Sequence, residues 1–257
     1  MSAIHEPTAQ ILHTCDLVAK GIQHFQLSMK DKSIGEFESE VDCLINIYHS
    51  IRILEGILDL AQKDLAFIQP GMILTRTLFE GLIRTSWVLH SSDQFENESR
   101  YVGLLDTECE FLRRWIKEMD STDCADSQQR KKSYEAICSF RDDFIKALGE
   151  KGYSPQKLPN VRNILRSLNE ERKYVYYMLL SQYTHLTHAA GNIYRKNLGV
   201  YKEMSDSPQV DKWKLVFAIS WPVFELATEL FILRISNESL YSDEFKKEVR
   251  ASLLAIA

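Results

Sequence analysis

Arg76, Glu80 and Arg84 follow one another at intervals of four, and between Gly71 and His90 no other Asp, Glu, Lys or Arg occurs. That spacing stacks side chains on one face of an α-helix, so the sequence predicts an Arg–Glu–Arg ladder, with Trp87 continuing its line. The remainder of 71–90 is apolar nearly all round, the mark of a helix buried on most sides. Charges on such a helix either surface as a single strip or are held inside by opposite charge and hydrogen bonds. A pair of guanidiniums can clamp a phosphate or carboxylate, or stabilise negative charge that develops during phosphoryl chemistry.

A second set lies in 174–192, "YVYYMLLSQYTHLTHAAGN", where Ser181, His185, His188 and Asn192 recur at intervals of four, three and four. Tyr174 and Tyr177 extend the same helical line. Lys173 and Arg195 bracket this run, and it holds no charged residue. A solvated stripe of that length usually recruits Lys, Glu or Arg, so the line is expected to lie inside the protein and to meet the ladder. Burial demands partners, because an unpaired polar group costs about 1–3 kcal/mol. Trp221, Glu225 and Glu229 repeat the interval of four in a third segment. With the arginines and histidines they could close one network, which either fixes helix register or forms a site.

Three chemistries are open to these residues. His185 or His188 could act as general base toward a 2′-hydroxyl while Arg76 or Arg84 stabilises phosphorane-like charge, which would be metal-independent RNA cleavage. The arginines could instead hold a small anion or nucleotide, with Trp87, Tyr174 or Tyr177 stacking and Glu80, Ser181, Asn192, Glu225 and Glu229 completing the pocket. Or the set could be an internal scaffold of a binding or regulatory module. No metal and no cofactor is expected. The histidines have neither the E-x-x-H of helical di-iron bundles nor H-E-x-x-H, which leaves only a mononuclear arrangement with Glu80 to consider. Phosphate-cradling glycine motifs and G-x-S-x-G are absent, and Ser181 beside His185 is a spacing, not a triad. "RTSWVLH" (84–90) fits R-x(4–6)-H, but a chain with these numbers of Arg and His carries about one such match by chance. Residues six apart point about 120° apart on a continuous helix, so only a break just before His90 would join Arg84 to it.

The elements that must position these groups read as eight or nine helices and no strand. Pro7 and Pro70 suit first-turn positions, and helices are expected over about 8–29, 36–63, 70–90, 94–119, 127–149, 161–168, 174–192, 215–235 and 243–255. Ser91 to Asp93 and Asp126 or Ser127 supply caps, and Pro222 should kink the long apolar helix. "GYSPQKLPN" (152–160) is a linker and a soft boundary within what otherwise reads as a single all-α domain over 1–257. With 10 glycines and 6 prolines in 257 residues there is little material for β-turns. A net charge of −5 argues against a protein that grips nucleic acid by bulk electrostatics. Five widely spaced cysteines (Cys15, Cys43, Cys109, Cys124, Cys138) without a C-x-x-C suit reduced thiols in the cytoplasm. The N-terminus has no secretory pattern. Glu225 and Glu229 sit in the middle of the one span-length apolar segment, which favours a buried helix and no membrane contact.

The chain resembles a set of prokaryotic all-helical families of unknown function. The residues that carry the likeness are "RTLFEGLIRTSW" (Arg76, Glu80, Trp87), an R-x-x-x-E helix followed by an aromatic, and "SQYTHLTH" (Ser181, His185), a later S-x-x-x-H helix, within about 45–195. The resemblance implies a distant HEPN-like helical domain, in some cases tied to toxin or phage-defence loci, with RNA cleavage as one possible activity. A protein partner, RNA or a small anion are the partners it leaves open, and long apolar helices suit a homodimer.

Overall fold

The computed structural model describes residues 5–30, 32–34, 36–122, 126–185 and 211–256. Among these the protein is all-α: α1 (Ala9–Met29), α2 (Glu38–Lys63), α3 (Ile68–Leu89), α4 (Gln94–Ser121), α5 (Ser127–Glu150), α6 (Val161–Ser167), α7 (Tyr174–Thr184), α8 (Asp211–Ser236) and α9 (Asp243–Ala255). Short 3₁₀ turns, Leu65–Phe67 and Glu171–Lys173, lead into α3 and α7.

The helix ends show which local signals acted. Thr8 caps α1 by accepting from the Ile11 amide at 3.2 Å, so Pro7 precedes the cap rather than opening the helix. Asp93 caps α4 through the Phe95 and Glu96 amides. Pro70 is the third residue of α3, not its first. Amides in a helix's first turn have no intrahelical acceptor, so a proline there sacrifices nothing. Phe37 at the start of α2 offers no side-chain cap. Glu98 of α4 does that work from outside, accepting from the Ser39 amide at 3.0 Å and from the Ser39 hydroxyl.

Helix α3 is the axis of the bundle. It packs against α2, α4, α6, α7 and α8, and Leu78, Phe79, Leu82, Ile83 and Val88 are fully buried. Helix α8 lies along it with Trp213, Phe217, Trp221, Phe224 and Phe231 all inside, so the segment of span length is a buried helix here. Trp213 sets the register, donating from Nε1 to the Leu65 carbonyl at 2.9 Å and laying its ring 3.0 Å from where a Cβ on Gly71 would stand. Helix α9 closes the end by packing on α1, where Ser252 meets Thr14 at 2.7 Å. One hydrophobic cluster draws on helices from both sides of the 152–160 linker, from Ile11 to Ile256.

Helices α4 and α5 form a long antiparallel pair whose outer part leaves this cluster. Of α5 only Leu148 is buried, and Phe111 and Trp115 are exposed on α4. The linker straps this arm to the bundle. Gln156 donates its amide to the Ser99 carbonyl at 3.0 Å, and the chain runs so close to Gly103 that a Cβ there would stand 2.9 Å from the Leu158 nitrogen.

Two consequences can be measured. Gly103→Ala forces the strap away from α4 and should cost about 1–3 kcal/mol in urea unfolding. Burial raises the Glu98 carboxyl above its ordinary 4.5 against the lowering effect of its Ser39 bonds. The native state therefore holds that proton more tightly than the unfolded chain, and stability falls as pH rises from the ordinary glutamate value through the native one. In Glu98→Gln that contribution is gone, so the urea midpoint of the variant relative to wild type should rise between pH 4 and pH 8.

Candidate functional site

The ladder forms as its spacing requires. One carboxylate oxygen of Glu80 pairs with Arg76 and the other with Arg84, both ion pairs running along α3 at intervals of four. The two arginines are not equivalent. Arg76 is 14% exposed, whereas Arg84 is 39% exposed.

Helix α7 accounts for the difference. It buries Leu180 and Tyr183 against the bundle and lays Tyr177 and Ser181 over Arg76. The Arg76 guanidinium sits 3.9 Å from the Tyr177 ring centroid, and its Nε donates to the Ser181 hydroxyl at 3.3 Å. Ser181 in turn donates to the Tyr177 carbonyl at 2.8 Å. Tyr174 stacks on Tyr177 at 5.7 Å, and the Arg162 guanidinium of α6 lies 5.5 Å from the Tyr174 ring centroid. Arg76 is thus held from three directions, by a carboxylate, a hydroxyl and an aromatic face. Each contact discourages it from swinging into solvent.

Beyond Arg76 the surface opens into a cleft of about 440 Å³, lined by Arg76, Glu80, Gly81, Arg84, Thr184 and His185. That volume lies in the range of small-molecule sites, about 300–1,000 Å³. The ladder carries two positive charges and one negative, so the cleft has an excess of one positive charge before His185 is considered. Among the described residues no group of three or more His, Cys, Asp or Glu could hold a metal. Glu80, the one carboxylate considered for such a site, has both oxygens engaged by arginine.

Several expectations need correction. The polar line does meet the ladder at Ser181, but α7 ends at Thr184 with His185 as its cap, and His185 is exposed rather than enclosed. His188 and Asn192 lie outside the described residues. Trp87 does not continue the ladder: it is buried, its carbonyl accepts from Arg100 at 2.8 Å, and that guanidinium lies 5.7 Å from its ring. By helical angle Trp87 stands on the ladder's side of α3, but almost a full turn beyond Arg84 the neighbour there is Arg100 of α4.

Glu225 and Glu229 belong to another neighbourhood. Glu229 pairs with Lys246 of α9 at 2.6 Å and accepts the Leu240 and Tyr241 amides at 3.0 and 3.2 Å. Glu225 faces Arg250 at 3.9 Å, and burial holds its carboxyl above the ordinary range. Glu229 secures the turn between α8 and α9, and Glu225 faces α9 itself. Finally, α3 is continuous through Leu89 and His90 keeps right-handed helical angles, so Arg84 and His90 are not brought together. Thr184 and Gly81 are cleft residues that spacing did not single out. A glycine inside an otherwise apolar helix was the available signal for the second.

An all-α protein with an Arg–Glu–Arg ladder on its central helix and a Ser–His helix laid across it is the class that fold and site define. The chain belongs to the family of unknown function DUF5677, whose profile matches residues 43–198. That match spans α3, the ladder and the whole described part of α7. No curated protein and no solved structure matches the chain.

Glu80 holds the two guanidiniums apart from each other along α3. Glu80→Gln should lower stability by about 1 kcal/mol in urea unfolding, because the two arginines then face one another without a carboxylate between them.

Proposed function

We propose that the protein is a binding module whose ladder cleft takes a small anionic ligand bearing a phosphate or carboxylate. The observation that carries this reading is the division of labour between the arginines. Arg76 is fully engaged by Glu80, Ser181 and Tyr177, while Arg84 spends one edge on Glu80 and turns the rest toward an open cleft that it shares with His185. A closed scaffold would pair both arginines and exclude the cleft. Here Arg84 and His185 are the direct contacts, and Arg76 and Glu80 set the field around them. Cationic groups at the end of a pre-positioned ladder need little reorganisation to receive an anion. The same proposal carries the regulatory setting that the resemblance implies, at a toxin or phage-defence locus.

Metal-independent ribonuclease activity is the second reading, favoured by the exposure of His185 in a cleft that also holds two guanidiniums. In that case His185 would draw a proton from a 2′-hydroxyl and Arg84 would face the phosphate oxygens.

The test is calorimetry and NMR with inorganic phosphate, AMP and a short RNA strand. Binding predicts that AMP moves the His185 imidazole resonances and that Arg84→Ala weakens AMP about tenfold or more, as loss of a charge-assisted contact should. RNA shortened by wild type but not by His185→Ala would favour the second reading. A His185 signal unmoved by every anion would overturn both.

A further inference from the structure

We infer that the ladder cleft is one half of a longer groove, that a ligand crosses α3 over Gly81, and that this ligand carries its anionic group in its middle, as a phosphate bridging two moieties does. The inference rests on the binding reading above and deepens it by naming the architecture of the ligand.

A second cleft, of about 490 Å³, opens between α2, α3 and α4, with Asp42, Leu104, Glu108, Phe111 and Arg114 among its walls. Gly81 and Arg84 line this cleft and the ladder cleft alike. The two spaces therefore border the same stretch of α3.

Gly81 has none of the ordinary reasons for a glycine inside a helix. Gly152 is the glycine with positive φ among the described residues, so no left-handed backbone is needed at 81. No described atom lies within 4 Å of the place a Cβ would take. Gly21, Gly71 and Gly103 are explained by what touches them (Trp221, Trp213 and the linker backbone). Gly56 meets only Leu74 at 3.7 Å, and Gly149, as open as Gly81, lies in the last turn of α5 where glycine suits a helix end. Glycine loosens a helix interior relative to alanine, because its backbone has more freedom to lose. At 81 that weakness has no packing counterpart among the described residues. What it leaves is a bare patch of helix backbone on the floor where the clefts join, and close approach of a ligand to backbone is the remaining use of a missing Cβ.

Arg84, one turn further along α3, fixes the chemistry at the crossing. Its guanidinium is the cation that both clefts share, so the anion belongs at the junction and not at either end. On one side lie Arg76 and His185. On the other, Asp42 and Glu108 outweigh the one further lining cation, Arg114, leaving that side net negative before Arg84 is counted and opposed to a second anionic group. Phe111, 56% exposed, offers an apolar ring face there. The far moiety is therefore uncharged and flat enough to lie on an aromatic, as a nucleoside is. A dinucleotide has this form. A ligand with a terminal phosphate fills one cleft only.

The probes are AMP and diadenosine monophosphate, measured by calorimetry on wild type, Gly81→Ala and Phe111→Ala, with thermal melts alongside. Wild type should bind the dinucleotide about tenfold more tightly than AMP, since the second moiety adds its contact without a new association step. Gly81→Ala should melt about 2 °C higher, being a better helix former, while the dinucleotide loses most of its advantage and AMP changes little. Phe111→Ala, at an exposed position, should weaken the dinucleotide alone. Equal binding of the two probes by wild type, or a Gly81→Ala protein that keeps the full advantage, overturns the crossing while leaving the anion site intact. A wild type that binds neither probe overturns the crossing and the binding reading together.

Discussion

The pairing of one carboxylate with two guanidiniums on α3 is the constraint from which the rest of the site follows. Helix α3 is apolar on its other faces and surrounded by five helices. It cannot rotate to solvate Arg76 or Arg84 without exposing Leu78, Phe79 or Leu82, each worth about 1.5–3 kcal/mol of burial. The charges must then be satisfied where they stand. Glu80 satisfies half of the need, and α7 supplies the remainder for Arg76 through a hydroxyl and a ring. Arg84 lies beyond the described end of α7 and is the more exposed of the two arginines.

The arm follows a different logic. Helices α4 and α5 are amphipathic, and the residues that the outer half of α4 buries, Cys109, Leu112, Ile116 and Met119, lie outside the main cluster, so the arm's position depends on attachment near the bundle. The linker provides it by lying against Gly103 and bonding Ser99, while Glu98 reaches from α4 to cap α2. Phe111, Arg114 and Glu108 stand beside α3 on the second cleft, and Leu158 of the strap is itself part of that cleft's wall. Cys109 and Cys138, whose sulfurs stand 3.2 Å apart, mark how closely the two arm helices approach.

Much of the fold was legible in residue order. The ladder, the all-α class, the α4 cap at Asp93 and the last helix, Asp243–Ala255, follow from spacing, composition and capping chemistry, all of which act within a few residues. The partnership of Arg76 with Ser181 was also foreseen, from an uncharged polar line that had to find partners. Misreadings arose where the decisive contact was distant. Glu225 and Glu229 carry the same interval of four as the ladder, yet periodicity reports only that two residues share a face. The lysine, arginine and amides that occupy Glu229 and Glu225 come from α9 and the turn before it. Trp87 shows the same limit, for it shares the ladder's side of α3 and yet meets Arg100, which α4 brings to that level of the helix.

The sequence by itself determined which side chains stand together along each helix, and hence that a carboxylate would lie between two guanidiniums on a buried α3. Hydrogen-bond geometry of the helix is local, and 3.6 residues per turn apply whatever the surroundings. Tertiary structure decided everything that depends on which face meets which. It enclosed Arg76, opened Arg84 and His185 to a cleft, turned Trp87 toward α4, and set Gly81 between two cavities. Those outcomes depend on how five helices share the surface of α3, and that packing is settled by buried area summed over the whole core and not by any one segment.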